Sequence, residues 1–547
     1  MSSRFIMPFA DVGSGIKPSS GAKLFFFEVD GVTPKNTFSD QLASPTPNPN
    51  PVESDSNGVF GDIYIDGSYK VTLKDKDSIQ IFGGARVDSA SGESASSLTT
   101  LGLTNSTTEY GSDVAISTSG FTASGDGGSG SWIQNGVTGQ TPSQSPVQLG
   151  DGLLNDGNGN QWEFYGAAMF SQQLGGILDG VFDNVLVQRA FINWADRTKK
   201  NVYLGIGTLL TSDSYRLVDK DGVNLIGLSR YNSILKLAGG VSDSFVTTLR
   251  DTNCSIKNLT VDGNGSNQAA GHCVRLQDSA NFKASSVELI NGNSYGAGLQ
   301  GGTITGFVLD DFNITGCGLD GVDIKNYNND NRDITISNGT VSNFGSVLTQ
   351  QAGIDHRGYV KVSNVTVYLD HDTCRGFRTR NDGAAGSGGE GEYSNIRVEN
   401  RVGASASVAI GFSHTSPRGK LTVSGLVCVD CSNGLRIDGD GNDGNFSGLT
   451  FTNSLGLSGS DQVYILGSRN VISGLKIDGA SRYIDIRSGA EQNIISSFRC
   501  AGTTTSSAIR IDAGANLNQL AVGLISSQGI VDNSSTTTVT AVTVAAI

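Results

Sequence analysis

A strand-and-turn unit recurs through the second half of the chain, and this repeat limits the possible folds more than any other feature. From residue 257 onward, an apolar-x-apolar strand followed by a turn returns every 23 to 31 residues. The first apolar positions of these strands are Leu259, Val287, Phe312, Val341, Val365, Ile396, Leu426, Leu449, Leu475, Phe498 and Leu524. Intervals that vary by a few residues indicate one coil per repeat, with loops of different length on a constant frame.

A second short strand follows the first in most repeats. Examples are 322–324 (Val-Asp-Ile), 354–356 (Ile-Asp-His) and 377–379 (Phe-Arg-Thr). Because strand residues alternate between two faces, the flanking residues should point into the coil and the middle residue outward. Of ten prolines only Pro417 lies beyond residue 146, which fits strands hydrogen-bonded on both edges. The sequence therefore predicts an all-β chain built on a parallel β-helix.

The remaining chain divides by composition into further segments. Residues 1–95 predict a small β-domain, and the apolar stretch 23–29 is its clearest strand. Residues 96–182 are rich in Gly, Ser and Thr and predict a neck with short strands. Residues 183–530 contain a predicted capping helix and the β-helix, and residues 531–547 form a carboxy-terminal tail.

The predicted helix lies directly before the solenoid. Val187, Ala190, Phe191 and Trp194 occupy one face at helical spacing, and Asp183 is the expected cap. A short amphipathic helix at this place is expected to cover the open apolar end of the first coil.

Charge and hydropathy exclude several classes of function. The net charge is −14, and because phosphate binding needs basic surface, nucleic acid is not an expected partner. No run of 18 apolar residues exists, so no membrane insertion is expected. No motif has the ligand spacing of a known metal loop, so neither a metal nor another cofactor is expected. A neutral sugar, or an acidic sugar met by local arginine, remains compatible with the composition.

Two stretches resemble known families. Residues 201–209 and 221–236 look like the first coils of the pectate-lyase-like β-helix superfamily. Residues 34–40 and 58–67 resemble the amino-terminal virion-attachment domains of bacteriophage tailspikes. The resemblance implies a right-handed β-helix and a homotrimer, with the carboxy-terminal tail as a candidate trimer contact. It also implies attachment through the first 95 residues to the phage tail, baseplate or an adaptor protein, and action on a bacterial surface polysaccharide at the host cell surface.

The outward residues of the second strands form a column that carries charge. Its members in the middle coils are Arg275, Gly298, Asp323, Asp355 and Arg378. Adjacent coils are separated by one strand spacing, so Asp323 and Asp355 should lie roughly 5 Å apart. Glycosidic cleavage needs one carboxyl as acid and another as base or nucleophile, and like charges this close raise one pKa. We therefore predict Asp323 and Asp355 as the acid pair, with Asp320 just upstream as a third carboxylate.

Side chains around these carboxylates are predicted to bind substrate. Guanidinium groups can donate paired hydrogen bonds to sugar hydroxyls or to a uronate, and tyrosine rings can stack on the apolar face of a pyranose. The predicted substrate-binding residues are His356, Arg357, Arg378, Arg380, Tyr327 and Tyr359.

The same region is similar to the polygalacturonase-type glycoside hydrolases. Their Asn-Thr-Asp-Gly motif resembles residues 318–321, their Gly-His-Gly falls at 355–357, and their Arg-Ile-Lys falls at 378–380. The resemblance implies that Asp320 is an acidic catalytic residue, that His356 orients a carboxylate, and that the two arginines of 378–380 bind substrate. The consecutive Asp-Asp of that family is absent from its place, and glycines do not flank the histidine.

Three functions remain open on these residues. The first is an endo-glycoside hydrolase acting on O-antigen or capsule. The second is a polysaccharide lyase, in which His356 or a tyrosine removes the C5 proton of a uronate. The third is a non-cleaving receptor-binding adhesin. The residues also have structural interpretations: Asp320 in a turn, Asp323 and Asp355 on a solvated face, and His356 at a coil edge, bonded to backbone.

Overall fold

The chain forms two compact units. A computed structural model of the 547-residue chain describes residues 3–5, 20–39, 46–56, 60–66, 68–78, 80–88, 99, 103, 105–106, 115–119, 129–140, 152–325, 333–348, 350–379, 390–402, 408–412, 421–438, 443–452, 461–479, 482–501, 507–525, 529–534 and 536–544. The first unit comprises residues 1–210 with 223–228, and the second comprises residues 211–222 with 229–547.

Short antiparallel sheets make up the beginning of the first unit. In sheet order, its antiparallel strands are Val52–Glu53, Lys23–Phe27, Ser68–Lys74 and Gln80–Asp88; Ser3–Phe5 with Ile63–Ile65; and Ala115–Thr118, Gly130–Gln134, Gln161–Phe164 and Leu153–Asn155. The strand predicted at 23–29 is observed, and it alternates buried Leu24 and Phe26 with half-buried neighbours. Phe26 meets the ring of Tyr69 edge-on at 6.2 Å in a buried apolar core.

An α-helix, Val185–Thr198, follows in the first unit. The four apolar residues predicted for its inner face are all buried. The helix begins one residue later than expected, because Asn184 is the N-cap while the carboxylate of Asp183 accepts the Val185 backbone N–H at 3.1 Å. The 3₁₀ turn Ser171–Leu174 precedes it, and parallel strands of this unit flank it in the sequence: Ala168–Phe170, Asp179–Asp183, Asn201–Leu204, Gly207–Thr211 and Asn224–Gly227.

No helix in the described part of the chain is both long and apolar enough to cross a membrane.

Two stacks of parallel strands form the second unit. Within the described residues, the long stack contains Ser233–Leu237, Ser255–Asp262, Lys283–Ile290, Val308–Cys317, Thr335–Phe344, Val360–Leu369, Gly391–Asn400, Leu421–Val429, Asn445–Ser447 with Thr450–Thr452, Val471–Asp478, Ile494–Ala501, Gln519–Ile525 and Thr538–Val544. The short stack contains Tyr215–Val218, Val246–Leu249, Val274–Leu276, Ala297–Gln300, Val322–Lys325, Ala352–His356, Arg375–Thr379, Val408–Phe412, Asn433–Ile437, Asp461–Ile465, Arg482–Ile486, Ile509–Ile511 and Ile530–Asp532. Successive coils contribute one strand to each stack, which confirms the predicted all-β fold with a parallel β-solenoid.

Ten of the described coils share a bend at one register position of the long strand. The bend residue has a positive φ of 48° to 70° and occupies the same register in successive coils: Asn258, Ser286, Asp311, Asn338, Asn364, Asn395, Gly425, Gly448, Gly474 and Ser497. Glycine and asparagine adopt this left-handed conformation at the lowest cost, which explains their prevalence at the bend. The bend lets one strand line two sides of the coil.

Phenylalanines determine the register at two coils where the repeat predicted another pairing. Phe312 pairs with Gly339 rather than Val341, and Phe498 pairs with Gly523 rather than Leu524. A Cβ atom at Gly339 or Gly523 would overlap the phenylalanine ring of the preceding coil. The ring fills the core volume of two coils, so only glycine fits opposite it.

Candidate functional site

The outward residues of the short stack align in one continuous column. Strand register places the following residues side by side: Arg216, Thr247, Arg275, Gly298, Asp323, Asp355, Arg378, Gly411, Arg436, Tyr464, Asp485, Arg510 and Val531. The predicted succession of Asp323, Asp355 and Arg378 is therefore the observed one.

Three column residues and two residues next to their strands form what we call the proximal cluster: Asp323, Asp355 and Arg378 from the column, with Asp320 and Arg357 beside it. One carboxylate oxygen from each aspartate lies within 4.8 Å of the others. The structural interpretation of Asp323 and Asp355 in the sequence placed them on a solvated face. Instead, Asp323 and Asp355 are 0% exposed and Asp320 is 2% exposed. The carboxylates therefore meet charged partners rather than water.

The guanidinium groups lie directly against the carboxylates. Arg378 Nη2 is 2.6 Å from Asp355 Oδ2 and 3.6 Å from Asp320 Oδ1. Arg357 Nη1 is 2.9 Å from Asp323 Oδ1 and 3.5 Å from Asp355 Oδ2. Asp355 thus contacts both guanidinium groups in an environment with little water.

Asp320 favours its protonated form. Burial, followed by the negative charge of Asp355, raises the pKa of Asp320 to about 7, against the opposing effects of Arg378 and the Ala352 backbone N–H. The backbone N–H of Ala352 donates to Asp320 Oδ1, which fixes the orientation of this carboxyl. The cluster thus contains a carboxyl that keeps its proton near neutral pH beside one that contacts two cations.

Half-buried side chains flank the cluster on the preceding coils. Lys325 Nζ lies 3.1 Å from Asp323 Oδ2 and donates to Tyr295 Oη at 3.1 Å. The ring of Tyr295 stacks on His272 at 4.7 Å between centroids. Burial raises the pKa of Tyr295 and lowers the pKa of His272 to about 4. Gly298 leaves room for this pair, because a Cβ there would lie 3.0 Å from the histidine ring. The sequence analysis did not predict His272, because it lies before its strand and outside the column.

His356 belongs to the interior of the coil. It pairs with Ile324 on one side and Thr379 on the other, in the inward register of the short stack. Its Nδ1 donates to the Gly358 carbonyl at 3.0 Å, so its Nε2 accepts the hydrogen bond of the buried Tyr393 hydroxyl. The side chain is 0% exposed, which favours the backbone-bonded interpretation over substrate contact.

The remaining predicted residues lie elsewhere. Tyr359 is half-buried beside the long stack, where its hydroxyl donates to Glu392 Oε1 at 2.6 Å. Burial and Glu392 raise the pKa of Tyr359 to about 12. The structure therefore does not bring Tyr359 into the proximal cluster. Tyr327 and Arg380 lie outside the described residues.

A second charged group follows on the same column, and the sequence reasoning missed it. We call it the distal cluster: Arg436, Asp438, Asp461, Tyr464, Arg482, Asp485, Arg487, Arg510 and Asp512. The same apolar-x-apolar pattern that revealed the proximal cluster, read through 435–437, 463–465, 484–486 and 509–511, places its column members side by side.

Asp485 is the buried centre of the distal cluster. Arg510 binds it through two hydrogen bonds of 2.8 and 2.7 Å, and Arg487 Nη1 lies 3.1 Å from the same carboxylate. Arg482 bridges Asp485 and Asp461 at 3.3 and 3.1 Å. Burial, followed by the charge of Asp485, raises the pKa of Asp461 to about 6.

The three aspartates of the proximal cluster offer oxygen ligands close enough for a metal ion. Their donors do not fit one well, because the guanidinium groups of Arg357 and Arg378 already lie 2.9 and 2.6 Å from the carboxylates and would repel a cation. The raised pKa of Asp320 also weakens it as a ligand, since a hard cation prefers ionised carboxylates. The geometry favours proton chemistry.

Comparison with known proteins adds only distant likenesses. No family model matches the sequence, and no curated protein matches it. The chain is similar to the amino-terminal fragment of gene product 12 of bacteriophage phi29, at 16% identity and a TM-score of 0.46 over 69% of this chain and 72% of that one. It is similar to the catalytic unit of a GH87 α-1,3-glucanase from Streptomyces thermodiastaticus at 12% identity and a TM-score of 0.44, over 70% and 74% of the two chains. It is also similar to the A-module of a mannuronan C-5 epimerase from Azotobacter vinelandii at 16% identity and a TM-score of 0.41, over 69% and 99%. Likenesses of this degree carry no argument about activity, which must come from the residues of this chain.

Proposed function

We propose that this protein is a phage tailspike that binds a bacterial surface polysaccharide, O-antigen or capsule, and hydrolyses it internally at the proximal cluster. The observation that carries the proposal is the pairing of Asp320 with Asp355. One carboxyl is protonated near neutral pH and the other contacts two guanidinium groups, within a single buried cluster. Acid-assisted glycoside cleavage requires a carboxyl that can give a proton and a second carboxyl beside it.

The spacing of the carboxyls favours a two-step reaction. Their oxygens lie within 4.8 Å, which is closer to the roughly 5 Å of retaining enzymes than to the wider gap that admits a water in inverting ones. Asp355 attacks the anomeric carbon while Asp320 gives its proton to the leaving oxygen. Water, deprotonated by Asp320, then breaks the glycosyl–Asp355 bond, and Asp320 regains its proton.

Elimination by a lyase mechanism has less support. It needs a base near the C5 proton of a uronate, and the sequence offered His356 or a tyrosine. His356 is enclosed with both ring nitrogens hydrogen-bonded, and burial raises the pKa of Tyr295, which makes this hydroxyl a poor base at neutral pH. The arginines that would neutralise a uronate already face aspartates.

The burial of the proximal cluster defines the competing function. The Arg378 guanidinium group contacts both Asp320 and Asp355. Catalysis therefore requires that this group moves, so that sugar hydroxyls can replace it at the two carboxyls. If Arg378 never moves, the cluster is a structural ion network and the protein is a non-cleaving adhesin.

The remaining parts of the proposal concern assembly. Attachment to the phage tail, baseplate or an adaptor through residues 1–95, a homotrimeric state and a location in the virion are supported by the resemblance of residues 34–40 and 58–67 to virion-attachment domains.

The test uses the full chain and a panel of purified O-antigen and capsular polysaccharides. Hydrolysis predicts a fall in chain length, new reducing ends and products without new ultraviolet absorbance. Asp355→Asn and Asp320→Asn should each slow cleavage by at least about a thousandfold. Asp219→Asn is the matched control. It also removes an aspartate paired with an arginine, since Asp219 Oδ1 lies 2.6 Å from Arg250 Nε, but this aspartate is exposed and is not a column residue.

Three results would contradict the proposal in different ways. Wild-type cleavage rates in both Asp355→Asn and Asp320→Asn would show that the proximal cluster is not the catalytic site. Products with a conjugated double bond would show a lyase. Binding without any fall in chain length would show an adhesin.

A further inference from the structure

We propose that the distal cluster is a second carbohydrate-binding site that takes a neutral, hydroxyl-rich segment of a glycan. Nothing in this inference depends on cleavage at the proximal cluster. It concerns binding by a different set of side chains on the same face of the solenoid.

The position of the distal cluster suits a long chain molecule. Tyr464 follows Asp355 in the column after Arg378, Gly411 and Arg436. Four coil steps correspond to about 19 Å at about 4.8 Å per strand spacing. Both clusters therefore lie on one straight line parallel to the solenoid axis, far enough apart to contact different sugars of one polysaccharide.

The column between the clusters is also polar. Gly411 contributes no side chain, and the Arg375 side chain occupies that space, 3.3 Å from where a Cβ atom would lie. Burial, followed by the charges of Arg378 and Arg436, lowers the pKa of Arg375. Arg375 is thus close to an arginine of each cluster. The surface from Arg378 to Arg436 thus presents a guanidinium group rather than an apolar gap.

Side chains of the distal cluster reach solvent, unlike those of the proximal one. The side chains of Arg436 and Arg487 are 38% and 37% exposed, and Tyr464 is half-buried. Asp485, fully buried beneath them, holds three arginines in place through contacts of 2.7 to 3.3 Å. The buried Asp485 therefore keeps the solvent-exposed hydrogen-bond donors of the cluster in fixed positions. Less conformational entropy is then lost when a ligand binds.

Charge balance identifies the class of ligand. Four arginines face four aspartates in the distal cluster: Arg436, Arg482, Arg487 and Arg510, with Asp438, Asp461, Asp485 and Asp512. Because each arginine already faces an aspartate, the cluster offers an acidic sugar no net positive charge. A neutral sugar hydroxyl both donates and accepts, so it can bond a carboxylate and a guanidinium group together.

Tyr464 supplies the apolar part of the site. The guanidinium carbons of Arg436 and Arg487 lie 5.0 and 5.6 Å from its ring centroid, and these two cation–π contacts restrict the motion of the ring. A fixed aromatic ring with paired charges around it offers a sugar both a C–H contact surface and hydroxyl partners.

Binding to immobilised polysaccharides tests the inference. Full-length protein is applied to an array of purified neutral and acidic O-antigens and capsular polysaccharides, and the strongest neutral hit is titrated by calorimetry. Tyr464→Ala and Arg487→Gln should each weaken binding of the long polysaccharide at least about tenfold. Tyr368→Ala is the matched control, because Tyr368 also meets an arginine, Arg401 at 3.3 Å, but lies on the long stack.

The outcomes separate this site from the proximal one. Asp355→Asn should keep the distal contribution, so a Tyr464→Ala change in that background should weaken binding by the same factor even if no cleavage occurs at all. Unchanged binding in Tyr464→Ala and Arg487→Gln, binding of acidic polysaccharides alone, or no neutral hit on the array would overturn the proposal. A change of oligomeric state in light scattering with either variant would instead assign this face to contacts between copies of the chain.

Discussion

The proximal and distal clusters use the same residue types on the same column, and they differ mainly in burial. In the proximal cluster Asp320, Asp323 and Asp355 are all enclosed, and in the distal cluster only Asp485 is. The side chain of Asp461 keeps 19% of its surface exposed. Burial therefore separates a site suited to holding a proton from a site suited to meeting a ligand in water.

The pKa values follow the same division. Burial and a neighbouring aspartate raise both pKa values, for Asp320 to about 7 and for Asp461 to about 6. The deeper carboxyl is the more strongly affected because charge is harder to hold where water is excluded. The same pattern of aspartates and arginines therefore gives carboxyls with different pKa values in the two clusters.

The largest difference should appear when one carboxylate of each cluster is neutralised. Asp355→Asn removes the closest anion of Arg378, which is 9% exposed, and should lower the free energy of unfolding by about 3–5 kcal/mol. Asp461→Asn removes a partly exposed partner and should cost under about 1 kcal/mol at about pH 4, where Asp461 is still protonated in the folded protein. Urea unfolding of both variants measures the contrast, and equal losses would remove the distinction between the clusters.

The interior pair behind the proximal cluster should give the next largest effect. His356→Leu leaves the Tyr393 hydroxyl buried without its acceptor and should cost about 1–3 kcal/mol. Adding Tyr393→Phe should recover most of the loss, since two apolar partners need no hydrogen bond. A substrate-binding role for His356 would instead show as a raised KM that Tyr393→Phe leaves uncorrected.

The pH dependence of stability should distinguish the two protonated carboxyls. Asp320 has a folded pKa of about 7 against an ordinary 3.8, so its stabilisation is complete below about pH 4 and is lost as pH rises through about 7. Asp320→Asn lacks this loss, so it should gain stability relative to wild type between these pH values. Asp461→Asn should show the same gain completed by about pH 6. Urea midpoints from pH 4 to 8 test this, and variants that run parallel to wild type would refute it.

Salt should produce the smallest difference. Arg487→Gln removes a partly exposed guanidinium group from Asp485 and Asp512 and should cost about 1 kcal/mol, a loss that shrinks near 1 M salt, where charges are screened over about 3 Å. The loss from Asp355→Asn should persist, because screening ions do not enter the enclosed cluster. A salt-sensitive Asp355→Asn would show that the proximal cluster opens to solvent.

Local alternation explains how much of the column could be predicted. Inward and outward parity is a property of each strand, so reading apolar-x-apolar segments was enough to align Asp323, Asp355 and Arg378. The same alternation extends through 463–465 and 484–486 and makes Tyr464 and Asp485 outward residues, but the hydrolase resemblance drew the site prediction to the middle coils alone.

Strand register and side-chain burial could not be predicted from the sequence, because both depend on contacts between neighbouring coils. Val341 fits the repeat as well as Gly339 does, and only the ring of Phe312 on the preceding coil decides between them. His356 has inward parity in the sequence. A polar ring can be buried inside the coil only because Tyr393, 37 residues away, supplies a hydrogen bond to it.

The sequence by itself determined the solenoid, its two stacks and which residues share the column, because strand alternation and coil length are local. Tertiary structure decided which of those column residues are enclosed. Enclosure depends on side chains such as Arg357 and Arg378 that arrive from neighbouring coils, more than twenty residues distant along the chain. The proton held by Asp320 and the exposure of Arg487 are both consequences of that packing.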